Sequence, residues 1–124
     1  MSTKKLTRLY TDEAGDSRFE TVEFELTAQN YAPPAAPLLV SQPQASTAYF
    51  FARLEPGWVG AQHPTPARQL ITLLAGAVRF EGSTGEEHVL KAGETMLDEN
   101  TTGKGHKTEV VSSDAAEGVM IRLE

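Results

Sequence analysis

Two short stretches of this chain hold the side chains able to do chemistry. The first, "GWVGAQHPTPARQLITLLAG", runs from Gly57 to Gly76 and carries His63, Thr65 and Gln69 between its terminal glycines. The second, "LKAGETMLDENTTGKGHKTEV", carries Gly93, Asp98, Glu99 and His106. A histidine titrates near neutral pH and serves as a general acid or base, and its imidazole also binds iron, manganese, nickel or zinc. The chain has no cysteine, which removes thiolate metal sites, disulfides and a thiol nucleophile together. The remaining histidine, His88, follows "EGSTGEE" in a hairpin and reads as a surface residue.

These side chains must be held by strands. "FETVEFEL" sets Val22, Phe24 and Leu26 against Glu23 and Glu25, the period of a half-buried strand. Four prolines between residues 33 and 43 exclude a central strand and predict an extended arm or edge segment. From Ser46 the segments "STAYFFARLE", "ARQLITLLAG", "AVRFEG", "EEHVLKAG", "TMLDE", "GHKTEVV" and "GVMIRLE" follow at regular spacing, divided by glycine-rich turns. That punctuation predicts an all-β antiparallel sandwich or small barrel, and no helical stripe competes with it. Residues 1–45 are expected to be amino-terminal strands and a proline-rich arm packed on a barrel of residues 46–124, one structural domain in all. At 124 residues such a domain buries roughly two-thirds of its unfolded surface and needs no staple.

A formal net charge of −6 without a basic stripe argues against nucleic acid as a partner. No run approaches the roughly 18 apolar residues of a membrane span, and the first residues lack an apolar leader, so a cytoplasmic protein without membrane contact is expected. The aromatics Tyr49, Phe50, Phe51 and Trp58 cluster just before the first histidine stretch, where Phe51 and Trp58 are candidates for an apolar pocket wall.

The spacing of Gly57, His63, Thr65, Gln69 and Gly76 resembles the first motif of the cupins, in which a glycine precedes His-x-His, then Glu or Gln, then glycine. Gly93 and His106 resemble the frame of the second motif. "HPTPARQ" with "ENTTGKGH", and "PPAAPLLVS" before them, are similar to a group of small bacterial cupins of undefined function. The resemblance implies a double-stranded β-helix, a jelly-roll barrel with an amino-terminal proline-rich extension, and a homodimer. It implies no reaction, since this fold hosts enzymes, storage proteins and sensors.

In metal-binding members the ligands share one strand face, and here that face would carry His63, Thr65 and Gln69. Thr65 replaces an imidazole and Gln69 a carboxylate, so the implied divalent-metal site is reduced to His63, Gln69 and His106, with Asp98 or Glu99 placed to restore the missing charge. Arg68, next to Gln69, is expected to face outward into a salt bridge. Lys104 lies between Gly103 and Gly105, whose backbone freedom suits close approach by a ligand or another segment.

Three function classes remain. The first is an enzyme on a small organic molecule, with metal at His63, Gln69 and His106 or with histidine acid–base chemistry alone. The second is a metabolite-binding barrel using His63, Thr65, Gln69, His106, Trp58 and Phe51 without catalysis. The third is a barrel whose faces serve assembly only.

Overall fold

The computed structural model describes residues 2–124, all of them organised by strands. In chain order these are β1 (Ser2–Thr11), β2 (Ser17–Gln29), β3 (Leu38–Val40), β4 (Ser46–Leu54), β5 (Val59–His63), β6 (Gln69–Ala75), β7 (Ala77–Glu81), β8 (Glu87–Lys91), β9 (Thr95–Asp98), β10 (His106–Val110) and β11 (Ala116–Leu123). Among the described residues no helix is long and apolar enough to cross a membrane.

The strands form two sheets. A seven-stranded sheet has the order β3-β2-β1-β9-β6-β11-β4, and a four-stranded sheet has the order β5-β10-β7-β8. Pairing is antiparallel except between β1 and β9. The two inner faces meet over a core of Leu9, Ile71, Leu73, Val78, Phe80, Leu90, Met96, Val110 and Ala116. These come from alternate positions on β6 (Ile71, Leu73), β7 (Val78, Phe80) and β10 (Val110), as a two-layer sandwich demands. Burying each large side chain is worth about 2 kcal/mol, which lets the sheets close without disulfide or metal.

One expectation needs correction. Among the described residues no proline-rich segment precedes the first strand: β1 begins at Ser2 and lies in the interior of the seven-stranded sheet between β2 and β9. The strand β1 was not legible because its apolar residues Leu6 and Leu9 fall on opposite faces and give no alternation. The prolines lie between β2 and β4, and the only strand among them is the three-residue edge β3, where a missing N–H costs no internal ladder bond.

The register also settles a direction that the alternation leaves open. Val22, Phe24 and Leu26 do alternate with exposed Glu23 and Glu25. In register, however, Leu9 pairs with Phe19 and Leu6 with Val22, so the apolar side of β2 shares the face opposite the core residue Leu9. The period was right, and the face it serves is the outside of the sheet.

Candidate functional site

His63 closes β5 and His106 opens β10, and the two are cross-strand partners in the four-stranded sheet. Gln69 opens β6 and Asp98 closes β9, partners in the seven-stranded sheet. The site is therefore assembled at matching ends of both sheets. This corrects the expectation that His63, Thr65 and Gln69 line one strand: the chain leaves the four-stranded sheet at His63, turns through Pro64 to Arg68, and enters the other sheet at Gln69. Two prolines, Pro64 and Pro66, end β5 there because they cannot donate to a ladder.

The close approach depends on Gly105. Its φ is +79°, and a Cβ there would lie 2.2 Å from the carbonyl carbon of His63. Gly103 makes a similar approach to Gly15, so the glycines flanking Lys104 accommodate other chain segments. Lys104 itself is bound to Asp16 at 2.8 Å and tethers this loop.

Between the sheets lies a cavity of about 200 Å³. Its apolar wall comes from Ala52, Leu54, Ile71, Leu73, Val78, Phe80, Leu90 and Met120, and its polar part from His63, Thr65, Gln69, Asp98, His106 and Thr108. Neither lysine nor arginine lines it. Thr65, Gln69, Asp98 and His106 are buried, whereas His63 and Trp58 stand at the exposed rim. Trp58 lies over Gly60, where any Cβ would come within 2.7 Å of the indole ring.

Of the residues expected in the site, Phe51 does not join it. It is 72% exposed and shares the outward face of β4 with Tyr49, while its neighbour Ala52 turns inward to the cavity. A single step along a strand reverses the face, and sequence alone does not fix that register. The choice between Asp98 and Glu99 is decided the same way. Asp98 is 1% exposed against the cavity, and Glu99 points outward to Arg8 at 2.5 Å and Arg68 at 2.6 Å. Burial works to raise the Glu99 carboxyl, but hydrogen bonds from the two arginines hold it below the usual range. The expected outward salt bridge of Arg68 is this one. His88 is half-buried with its ring 6.0 Å from that of Phe19, rather than a free surface group.

The hydrogen-bond pattern fixes the imidazole tautomers. The Thr11 hydroxyl donates to the Thr102 carbonyl at 3.1 Å, so it accepts from the Asn100 amide nitrogen at 2.8 Å. That leaves Asn100 Oδ1 facing His106 Nδ1 at 2.8 Å, and the imidazole must donate there. In neutral His106 the lone pair is therefore on Nε2, which lies 3.9 Å from Asp98 Oδ2. His63 Nδ1 faces the Ala61 carbonyl at 2.6 Å, so it too donates, and its Nε2 carries the lone pair in the neutral form. Asn100, fully buried, is the residue orienting His106 that sequence reasoning missed. Its only signal was a position six residues before His106.

Electrostatics at this end are unbalanced. Burial pushes the Asp98 carboxyl from 3.8 up to about 6, against hydrogen bonds from the Asn100 backbone and the Thr65 hydroxyl and the attraction of His63. Burial, with repulsion from His63, pushes His106 from 6.5 down to about 4. At neutral pH the site thus holds an ionised carboxylate beside a neutral imidazole. The buried chain Gln69 to Thr65, 3.1 Å, continues to Asp98 and orients it.

As a metal site the set is incomplete. The His63 and His106 rings approach to 5.8 Å between centroids and Gln69 donates its amide nitrogen to Thr65, but among the described residues no three His, Asp or Glu side chains are grouped as metal ligands.

Comparison with known proteins agrees at the level of fold. A Cupin 2 conserved barrel domain protein from Salinispora arenicola matches with TM-score 0.52 and 13% identity, over 80% of this chain and 76% of that one. A sugar phosphate isomerase of the cupin superfamily from Silicibacter pomeroyi matches with TM-score 0.51 and 17% identity, over 64% of this chain, which spans only 52% of the isomerase. Drosophila melanogaster CENP-C, in its structure bound to CAL1, matches with TM-score 0.51 and 13% identity, over 78% of this chain and 79% of that one. No family model matches the sequence, and no curated protein does. The chain has the cupin fold. Proteins as different as a sugar phosphate isomerase and CENP-C share it, so its function must be argued from the cavity.

Proposed function

We propose that the barrel is a binding site for a small molecule that is apolar over most of its surface and polar at one end. The observation that carries this reading is the cavity itself: aliphatic walls and one polar end where Asp98, Thr65, Gln69 and His106 are buried and mutually oriented. Ligand sites are mostly apolar with a few placed polar groups, and this cavity matches that division. Recognition without turnover is the simplest use of it. The adjacent Asp98 and His106 also provide two proton acceptors for general-base chemistry on a bound molecule.

A phosphorylated sugar like that of the isomerase fits poorly. Its charge would meet Asp98 with no lysine or arginine on the wall to offset it. The direct test is thermal denaturation of the protein against a library of small neutral and charged metabolites, repeated with Leu54→Trp, which fills the cavity. Stabilisation of the parent and not of the filled variant supports the reading. A library without any effect on the parent refutes it.

A divalent cation is the second reading, favoured by the two Nε2 lone pairs and the carboxylate of Asp98. Asp98, rather than Gln69, would then supply the charge a cation requires. Elemental analysis of untagged protein beside His63→Ala and His106→Ala decides it, through stoichiometric iron, manganese, nickel or zinc in the parent alone. We propose further that the free edge β4 is covered by a second copy, since Tyr49 and Phe51 are each 72% exposed on it.

A further inference from the structure

The geometry points to a ligand class: we propose that the cavity takes a small primary amine, with its ammonium group held by Asp98 and the imidazole of His106 and its hydrocarbon body on the aliphatic wall. This rests on reading the cavity as a ligand site and goes beyond it by naming the head group. The argument is an inventory of donors and acceptors. Thr11 and Asn100 force the His106 proton onto Nδ1, so Nε2 offers a lone pair. The Ala61 carbonyl does the same for neutral His63. Thr65 spends its hydroxyl proton on Asp98, and Asp98 offers only acceptors when ionised. Next to Asp98 and His106 the polar end thus presents lone pairs, two of which face each other across 3.9 Å, while Gln69 and Thr108 add one amide and one hydroxyl to the same wall.

Two acceptors held that close repel unless a donor lies between them. An ammonium group carries three N–H donors on a single centre and satisfies both while pairing its charge with the carboxylate. An alcohol brings one donor and no charge, and a carboxylate or phosphate brings only further repulsion. The folded chain supplies no lysine or arginine as counter-ion, because Arg8 and Arg68 are both committed to Glu99 on the other side of the sheet, and only His63 at the exposed rim attracts the carboxylate. A carboxylate 1% exposed, with hydrogen bonds from Asn100 and Thr65 but no lysine or arginine beside it, is costly to bury. A cavity of about 200 Å³ sets the size at a small ring or branched chain.

The test uses the full chain, stripped of metal by a chelator, at pH 7.5. Calorimetry and thermal shift compare matched probes that share a cyclopentyl, cyclohexyl or phenyl body and end in CH₂NH₃⁺, CH₂OH or CO₂⁻, with zinc and manganese chlorides measured alone. The expected result is that one amine series binds at least tenfold tighter than its alcohols, that the carboxylates do not bind, and that Asp98→Asn removes the amine preference. Alcohols or carboxylates binding as well as amines would overturn the amine assignment while leaving the ligand site standing. Amine binding unchanged in Asp98→Asn would overturn it as well. No binding by any probe, with or without stabilisation by the metals, would overturn both this inference and the small-molecule reading. Should Asp98→Asn fail to fold, the contrast between amine and alcohol in the parent still decides.

Discussion

Replacing Asp98 by Asn should make the protein more stable at neutral pH. The folded state holds this carboxyl at about 6 against 3.8 for an unburied one, because burial outweighs the hydrogen bonds it accepts. That gap corresponds to about 3 kcal/mol of destabilisation once the group is ionised. The sign follows from linkage. Since the folded value is the higher one, stability is complete below about pH 4, falls as the pH rises through about 6, and stays reduced above it. His106 runs the other way, its folded value of about 4 lying below 6.5, so its contribution is complete above about pH 6.5 and is lost as the pH falls towards 4. In the parent the two dependences oppose each other, and stability should be nearly flat across this range.

Asparagine keeps an acceptor for the Asn100 N–H and puts an amide donor opposite the His106 lone pair, without a charge to bury. Urea denaturation of metal-free protein should therefore show Asp98→Asn gaining about 3 kcal/mol at pH 7.5, an advantage that disappears near pH 4. A variant less stable than the parent at pH 7.5, or an advantage independent of pH, would refute the isolation of this carboxylate. Stability gained together with lost ligand affinity is the pattern of a group retained for function.

Further outcomes follow from other parts of the structure. Gly105→Ala should cost more than about 2 kcal/mol, because it sets a Cβ against the His63 backbone in a left-handed conformation; a normal urea midpoint would contradict the packing described. Asn100→Leu should destabilise by about 1–3 kcal/mol through the unpaired His106 Nδ1, and nitrogen NMR should show His106 losing its single tautomer. Phe51→Ser should leave the melting of the isolated chain nearly unchanged while shifting sedimentation from dimer to monomer. A sedimentation coefficient unaffected by the change would remove β4 from the interface. Trp58 at the rim should report ligand entry by its fluorescence, and an unchanged spectrum at saturating ligand would place the entrance elsewhere.

What the sequence determined by itself is local. Glycine-rich turns and β-type segments predicted the β-strands from Ser46 onward, because turn geometry and alternation are properties of neighbouring residues. His63, Gln69 and His106, singled out by motif spacing, line one cavity although different strands carry them. The tertiary structure decided what depends on register and on distant partners. Asp98 rather than Glu99 faces inward because β9 is pinned between β1 and β6 in one of two alternating settings. Phe51 faces outward for the same reason on β4, and the apolar side of β2 lies outside because its partner β1 presents Leu9 to the core. Asn100 gains its role only because the fold brings Thr11, 89 residues away in sequence, within hydrogen-bonding distance. A period of two gives every strand two faces. Which of them meets the cavity is settled only when the sheets pair.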